Sequence, residues 1–313
     1  MPNKTQIYSI AGPTASGKTE LGVALALWLG NGEVINCDSV QIYKKIEIAT
    51  AKPSEAEMQG VPHHLIGYVN PEIKYTAQDW AKDASEKIRE IEARGGVPIL
   101  VGGTGFYLRA LRNPFFSSPK PDAVFRSRLQ KLIEEKGAPH LHKILSRIDS
   151  DAAEKLFPND YVRTMRAIEV YFQTGKTIST QQPNRESAPE FASRIKIFVL
   201  RPNREKLYEI INRRTELHFE RGLVAEVETL RKEGLNDDTN ALGAHAYRRV
   251  CEYLRGERSL ESAIEKSQQD VRNYAKRQIT WFKREPDITW LEGFGKEAKI
   301  QKQLMMLLSR HGA

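Results

Sequence analysis

A run of eight residues near the start of the chain has the residue types and the spacing that bind phosphate groups. Gly12-Pro13-Thr14-Ala15-Ser16-Gly17-Lys18-Thr19 matches the pattern G-x-x-x-x-G-K-[ST] at every required position and follows the apolar stretch 7–11. In this pattern backbone N–H groups converge on anionic oxygens, the Lys18 ammonium supplies positive charge, and the Thr19 hydroxyl ligates Mg²⁺ at a helix N-terminus. The helix-like run that follows ends at Gly30. The motif therefore predicts a phosphate-binding loop, and it leaves open which phosphate compound binds and which bond breaks.

An acidic residue follows the next predicted strand, in the segment Cys37-Asp38-Ser39-Val40-Gln41-Ile42-Tyr43. Because the carboxyl ends of parallel strands meet at one edge of a sheet, we expect Asp38 on the same rim as the phosphate loop. A carboxylate at this place could accept a proton from a nucleophile, coordinate Mg²⁺, or cap the next helix. The amide of Gln41 can pair with a nucleobase edge, which favours a binding role for the segment.

A second glycine-rich turn, Val101-Gly102-Gly103-Thr104-Gly105-Phe106-Tyr107, follows another predicted strand. Its position on the rim allows its backbone to approach a ligand closely. The alternative is a plain turn from strand to helix, with Thr104 as the N-cap. The sequence leaves both interpretations open.

Basic residues interleave with aromatic ones on a predicted helix at 271–284, in Val-Arg-Asn-Tyr-Ala-Lys-Arg-Gln-Ile-Thr-Trp-Phe-Lys-Arg. The basic side chains could follow a phosphate backbone, while Tyr274, Trp281 and Phe282 either stack on bases or pack into the core. A smaller pair, Arg163 and Arg166, lies at spacing i, i+3 on one predicted helix face. Either arginine could instead form a surface salt bridge.

The composition indicates a globular protein with an anionic partner. The chain has 313 residues and a net charge of +8, which is compatible with nucleic-acid binding without demanding it. Its two cysteines, Cys37 and Cys251, and its seven histidines show no spacing typical of a disulfide framework or a metal site. Neither a signal peptide nor a membrane span is evident, so we expect a cytoplasmic protein. We expect it to be a monomer without an obligate protein partner.

The apolar runs at 7–11, 33–37, 64–67, 98–101 and 195–200 predict strands of a buried parallel sheet, and amphipathic runs between the first four predict helices. Residues 114–194 read as helices alone, bounded by prolines at the front and a polar stretch behind. The rest is helical except for a possible last strand at 288–291. The fold class is therefore α/β: a P-loop NTPase-like parallel sheet with helices on both faces. Residues 1–113 and 195–313 form the core with its C-terminal helices, and 114–194 form an inserted helical domain.

Seven segments in order resemble one known family. They are GPTASGKT, DSVQIY, GVPHHLIG, YTAQDW, GGTGFY, VRTMRAIEVYFQTGK and RNYAKRQITWF, and they cover nearly the whole chain. In these segments the chain resembles the tRNA dimethylallyltransferases of bacterial type. The resemblance implies transfer of a dimethylallyl group from dimethylallyl diphosphate to N6 of the adenosine just 3′ of a tRNA anticodon, with Mg²⁺ present. It also implies that the helical insertion closes on the anticodon loop.

The resemblance assigns roles to particular residues. Gly12–Thr19 would hold a diphosphate leaving group rather than a nucleotide, with Lys18 neutralising developing charge and Thr19 holding Mg²⁺. Asp38 would orient adenine N6 and take its proton, because the N6 lone pair is delocalised and the amine is a poor nucleophile. Thr104 would lie near the channel into which the target base is flipped. The tRNA contacts it implies are Asp38, Ser39, Val40, Gln41, Thr104, Arg126, Val162, Arg163, Thr164, Met165 and Arg166.

The chain departs from the family pattern at one segment in particular. Ala244-His245-Ala246-Tyr247-Arg248-Arg249 stands where relatives read an aliphatic residue followed by Gly-Tyr-Lys-Glu, and Gly243 stands where they often carry a basic or amide side chain. Whether residues 243–249 contribute a diphosphate contact is therefore left open. Val271 also replaces a usual threonine, and the zinc module of some eukaryotic members is not found.

Two other functions are compatible with the order of the motifs. A P-loop kinase could phosphorylate a small hydroxylated acceptor bound or deprotonated by Asp38. A nucleotide-dependent RNA-binding module would use the same loop without any group transfer. The second glycine-rich turn and the basic aromatic helix argue against the kinase, since a small acceptor requires neither.

Overall fold

The computed structural model describes residues 6–116, 118–185 and 187–309. Residues 1–5, whose composition predicts no signal peptide, lie outside these ranges. The sheet has six strands: β1 (Ile7–Ala11), β2 (Gly32–Asn36), β3 (His63–His64), β4 (Val97–Gly102), β5 (Ile195–Leu200) and β6 (Ile288–Leu291). Their order is β3-β2-β4-β1-β5-β6, and every pair of neighbours is parallel. The predicted α/β fold with a parallel sheet is confirmed.

Helices account for most of the rest of the described chain. They are α1 (Lys18–Leu29), α2 (Glu55–Met58), α3 (Ala77–Ala93), α4 (Gly105–Arg112), α5 (Ala123–Lys136), α6 (Ala138–Ile148), α7 (Ser150–Glu154), α8 (Tyr161–Thr174), α9 (Ile178–Gln181), α10 (Arg204–Glu220), α11 (Leu223–Lys232), α12 (His245–Leu254), α13 (Leu260–Phe282) and α14 (Ala298–Ser309). Two 3₁₀ turns, Ile48–Thr50 and Ala192–Arg194, complete the set. No helix in the described part of the chain combines the length and apolarity that a membrane span needs.

Helices cover both faces of the sheet, as alternating side chains of a buried strand require. On one face, apolar side chains of α1 and α14 form a single cluster with strand residues such as Ile10 and Ile99. On the other face, α3 packs on β2 and β4 and against α4. The buried Trp80 of α3 donates its indole N–H to the carbonyl of Asn36 at the end of β2. This bond fixes the rim from which Asp38 projects.

One predicted strand is displaced and shortened. The apolar pattern predicts a strand at 64–67, whereas β3 pairs with β2 only through His63 and His64. Leu65 and Gly67 have φ of +61° and +55°, in the left-handed region, so the chain cannot stay extended there. The prediction was wrong because apolar composition does not report backbone handedness.

The chain divides into two compact units. The core unit comprises the chain up to Arg112 and from Pro189 onward, and the helical unit comprises Asn113–Ala188. Within its described residues the helical unit contains α5 to α9 and no strand, and it has its own apolar core around Leu141, Leu145 and Ile168. That this unit contacts tRNA stays a prediction.

Candidate active site

The phosphate loop joins β1 to α1 and depends on backbone conformations that few side chains adopt. Gly12 and Gly17 have φ of +142° and +83°. Gly17 is the N-cap of α1, and no side chain caps this helix end. The N–H groups of the first turn of α1 therefore remain available to an anion.

A second segment of backbone supports the loop from behind. The N–H of Gly295 donates to the carbonyl of Ser16 at 2.8 Å. A Cβ atom built on Gly295 would lie 1.9 Å from the carbonyl oxygen of Gly17, so only glycine fits there. The loop is thus held in shape before any ligand binds.

Two cations of the core unit lie at the loop without a carboxylate partner among the described residues. Lys18 Nζ donates to the Pro13 carbonyl at 2.8 Å, and Arg214 Nη2 of α10 donates to Thr14 Oγ1 at 2.6 Å. Burial lowers the pKa of Lys18 to about 8, although the carboxylate of Asp38 partly offsets this. Burial also lowers the pKa of Arg214. Half-buried cations without a direct ion pair are costly, and an anionic ligand would relieve that cost.

A neutral histidine lies one helical turn beyond Arg214. Burial, together with the positive charges of Arg214 and Arg221, lowers the pKa of His218 to about 4. At neutral pH its imidazole is therefore uncharged. Its ring adds a polar, uncharged surface to the cavity beside the two cations.

Asp38 lies two residues beyond β2, and one of its oxygens is engaged in a local turn. Oδ1 accepts the N–H groups of Val40 at 2.9 Å and Gln41 at 3.3 Å. No hydrogen bond to Oδ2 is found among the described residues. No helix begins at this point, since the next helical element is the 3₁₀ turn Ile48–Thr50, so Asp38 does not cap a helix. Its Oδ1 instead closes a turn, which fixes the carboxylate while leaving the other oxygen for a ligand.

The second glycine-rich turn packs directly against the Asp38 segment. Thr104 Oγ1 accepts the N–H of Ser39 at 3.0 Å, and the N–H of Thr104 donates to the carbonyl of Cys37 at 3.2 Å. A Cβ atom on Gly102 would lie 2.0 Å from the same Cys37 oxygen, so the close approach requires glycine. The phenol of Tyr274 lies beside Thr104, and its pKa is raised by burial and by the Asp38 charge. Thr104 therefore holds Ser39, the residue next to Asp38.

A cavity of about 700 Å³ joins these parts within the core unit. The phosphate loop, Asp38, Gln41, Arg214 and His218 all line it. The amide nitrogen of Gln41 is already engaged, since it donates to the carbonyls of Thr50 and Ala51. A smaller cavity of about 50 Å³ adjoins Asp38 and is lined in part by His245 and Tyr247, so the divergent segment 243–249 reaches the site. One cavity thus combines an anion-binding end with a carboxylate.

Comparison with known proteins identifies the kind of site. The family model described as IPP transferase matches residues 41–285. Over 305 residues the chain is 43% identical to a tRNA dimethylallyltransferase of Koribacter versatilis, with 96% of this chain and 97% of the relative covered. The chain belongs to the IPP transferase family. A tRNA dimethylallyltransferase of Geobacter sulfurreducens is 44% identical over 290 residues and 93% of each chain.

Solved structures agree with this assignment. A tRNA isopentenylpyrophosphate transferase from Bacillus halodurans superposes with a TM-score of 0.71 at 35% identity, covering 98% of this chain and 97% of the other. A eukaryotic dimethylallyltransferase acting on tRNA gives a TM-score of 0.78 at 28% identity, covering 98% of this chain and 79% of the other. The resemblance drawn from the seven motifs is confirmed, and this protein is an IPP transferase rather than a small-molecule kinase or a binding module.

The tRNA contacts expected in the helical unit of this IPP transferase differ sharply in exposure. Val162 and Arg163 lie at the surface, and the side chain of Arg163 is 74% exposed with a 3.3 Å ion pair to Asp160. Thr164 and Met165 are buried in the core of the helical unit, so their side chains do not reach solvent. Of these four residues, Val162 and Arg163 are the two that present side chains to solvent.

Arg126 and Arg166 are engaged inside the helical unit. Both bind the buried carboxylate of Glu169, Arg126 through two bonds of 2.9 and 2.8 Å and Arg166 through one of 2.6 Å. These bonds lower the pKa of Glu169 against the opposing effect of its burial. The sequence did not suggest this partner, because Glu169 looks like an ordinary polar residue of an amphipathic helix.

The basic aromatic helix, α13, divides its residues between two faces. Lys276 and Arg277 are exposed, whereas Phe282 is buried and Trp281 packs on Gly105. The packing interpretation of these two aromatic side chains is therefore correct. Sequence reasoning missed Arg214, which stands in an unremarkable amphipathic helix, and Gln278, whose place at i+4 from Tyr274 was the available signal.

Proposed function

We propose that this IPP transferase moves the dimethylallyl group of dimethylallyl diphosphate to N6 of the adenosine immediately 3′ of the anticodon in tRNA, releasing diphosphate. One observation carries the proposal. Two cations without carboxylate partners among the described residues share a cavity with a carboxylate that keeps one oxygen for a ligand. The cations suit a diphosphate, and the carboxylate suits an amine that must lose a proton.

At the anionic end, the N–H groups at the start of α1 and the charges of Lys18 and Arg214 receive the diphosphate. As the allylic C–O bond breaks, its electron pair passes to the diphosphate, and these groups stabilise the growing negative charge. Arg214 also donates a hydrogen bond to Thr14 Oγ1, which fixes its guanidinium to the phosphate loop. The leaving group is therefore bound by groups that are already oriented.

At the other end, Asp38 accepts a hydrogen bond from adenine N6 through Oδ2. N6 forms its bond to the allylic carbon as the C–O bond breaks, and one N6 proton passes to the carboxylate. The turn that engages Oδ1 keeps the carboxylate oriented toward the amine. A base inside a stacked loop cannot reach this depth, so the adenosine is expected to flip into the cavity.

We propose Mg²⁺ as the cofactor, with Thr19 as its protein ligand. The Thr19 side chain lines the cavity, and the described residues contain no cluster of three or more His, Cys, Asp or Glu that could hold a metal. This donor set fits Mg²⁺, which keeps several waters and is usually held by substrate phosphates with few protein ligands. The ion would supply charge neutralisation to the diphosphate.

We expect tRNA to contact Ser39, Val40, Gln41 and Thr104 around the cavity, and Val162 and Arg163 on the helical unit. We also expect a monomer without an obligate protein partner. We also expect a cytoplasmic location for the enzyme.

A labelling experiment tests the proposal. The purified protein is incubated with Mg²⁺, unmodified tRNA and dimethylallyl diphosphate labelled in the prenyl carbon, and a matched tRNA with guanosine 3′ of the anticodon serves as control. We expect label in the first tRNA only, at N6, without ATP. Label in neither tRNA would contradict the proposal.

We predict that donor binding takes up a proton above pH 8. The pKa of Lys18 lies at about 8 in the unliganded protein, so its amine is mostly neutral at pH 9 and mostly charged at pH 7. A bound diphosphate favours the ammonium, so log affinity should fall by about one unit per pH unit above pH 8 and stay nearly level below it. The donor itself titrates only near pH 6 and does not interfere.

Calorimetry in buffers of different ionisation enthalpy measures the proton uptake. Lys18→Arg, which stays charged, should give a flat profile, and an equally steep one would remove Lys18 from this role.

We predict that Arg163→Ala weakens tRNA binding and flattens its salt dependence by about one unit of slope, because one phosphate contact is lost. The measurement is tRNA affinity against salt concentration. Arg147→Ala removes another exposed arginine of the helical unit and should leave the slope unchanged. If the salt dependence of tRNA affinity has the same slope for Arg163→Ala as for Arg147→Ala, Arg163 does not contact a tRNA phosphate.

A further inference from the structure

One face of α13 packs against the second glycine-rich turn, with each of three side chains next to a different residue of the turn. Tyr274, Gln278 and Trp281 are spaced i, i+4 and i+7, so they lie on one side of the helix. The phenol of Tyr274 lies beside Thr104, Gln278 bonds to Gly103, and Trp281 packs on Gly105. The helix therefore holds the whole turn.

The Gln278 amide also reaches the phosphate loop. Its Oε1 accepts the N–H of Thr14 at 2.8 Å, while its Nε2 donates to the carbonyl of Gly103 at 2.9 Å. The side chain is 5% exposed, so no solvent replaces either bond. A primary amide offers both an acceptor and a donor at this spacing. A carboxylate would leave the Gly103 carbonyl unsatisfied, and a hydrocarbon would leave both backbone groups unsatisfied.

Gly103 shows how closely the second glycine-rich turn approaches the Gln278 amide. A Cβ atom built on Gly103 would lie 2.0 Å from Gln278 Nε2 and 3.0 Å from the Gly12 carbonyl oxygen. One amide thus spans the gap between the loop that receives the leaving group and the turn whose Thr104 holds Ser39, beside Asp38.

We propose that Gln278 is a positioning residue for the transfer: it sets the distance and angle between the phosphate loop and the Thr104 turn, and through them between the donor carbon and the acceptor amine. This inference rests on the proposed function. Gln278 lines neither the large cavity nor the small one beside Asp38, so its loss should misalign the two ends without removing a binding contact. A displacement of about 1 Å in reacting geometry can cost on the order of 100-fold in rate.

Gln278→Leu tests the proposal, and Gln268→Leu is its control. Gln268 stands on the same helix, but its amide bonds to α10 through the Asn212 carbonyl and Glu216. For Gln278→Leu we expect a single-turnover rate lower by about 10- to 100-fold, with donor and tRNA dissociation constants within about threefold of wild type. The control should change neither.

Three outcomes separate the possibilities. A wild-type protein that does not prenylate tRNA would refute the proposed function itself. An active wild type with Gln278→Leu as fast as the control would refute the positioning role alone. A rate loss accompanied by an equal loss of donor affinity would also refute it, since that pattern indicates a collapsed loop.

A second pair of variants keeps the proposal testable if Gln278→Leu fails to fold. Gly103→Ala places a methyl group against the amide and should slow the transfer. In a Gln278→Ala background the added methyl group meets no amide, although its 3.0 Å approach to the Gly12 carbonyl oxygen remains. The substitution should then cost clearly less than in the wild type, so the two effects should be non-additive. An equal cost of Gly103→Ala in both backgrounds would overturn the proposal.

Discussion

Replacing Asp38 with asparagine is expected to lower the rate of prenyl transfer by roughly 10²- to 10⁴-fold, the range expected for loss of a general base. Asparagine retains a carbonyl oxygen that can accept the N–H groups of Val40 and Gln41, so the turn should survive. What is lost is the negative charge and the ability to take the N6 proton. Single-turnover transfer with saturating donor measures the effect, and tRNA affinity should remain within a few fold of wild type.

Asp122 provides a matched control for the capping role. Its Oδ1 accepts the N–H groups of the residues two and three positions ahead, Val124 and Phe125, just as Asp38 does. If Asp38 only capped its turn, Asp38→Asn would be nearly silent, and Asp38→Ala would cost about 1 kcal/mol of stability, as Asp122→Ala should. A full-speed Asp38→Asn enzyme would remove Asp38 from catalysis.

The sequence predicts those parts of the site in which the backbone can adopt its conformation or make its close contacts only with glycine. The phosphate loop and the second turn both need glycine where a Cβ atom would meet another main chain, as at Gly102 against Cys37. Such requirements leave a fixed spacing in the sequence, and the alternation of strands and helices then brings both turns to one rim. The strand 64–67 failed for the converse reason, since the left-handed Leu65 carries no sequence signature.

The parts that sequence does not predict are set by contacts over long separations. Gln278 meets Thr14 across 264 positions, and Arg214 meets it across 200. Each stands in a helix whose hydrophobic pattern does not decide whether this side chain is exposed or buried. Glu169 is similar, because only the folded helical unit shows that Arg126 and Arg166 converge on it. Which cation remains available to a ligand is thus a property of packing rather than of composition.

Replacing Arg214 with methionine is expected to weaken donor and diphosphate binding by about 10- to 100-fold while leaving the unliganded protein at least as stable as wild type. A hydrogen bond to a charged group contributes about 1.5–3 kcal/mol, and each 1.4 kcal/mol is tenfold in affinity. In the unliganded protein the guanidinium is half-buried and donates a hydrogen bond to the neutral Thr14 hydroxyl. Methionine has a similar apolar stem and carries no desolvation penalty, so the binding function and the stability should separate.

Calorimetric titration with inorganic diphosphate and thermal unfolding without ligand measure the two effects. Arg213→Met is the control, since Arg213 is the adjacent residue, is exposed, and pairs with Glu216 and Glu220. It should change neither quantity by more than a surface ion pair is worth, about 0–1 kcal/mol. A less stable Arg214→Met protein with unchanged diphosphate affinity would mean that Arg214 holds Thr14 for structural reasons. If Arg214→Met lowers diphosphate affinity without lowering thermal stability, the fold holds the Arg214 guanidinium without a carboxylate partner among the described residues. The diphosphate leaving group would then supply the missing ionic contact.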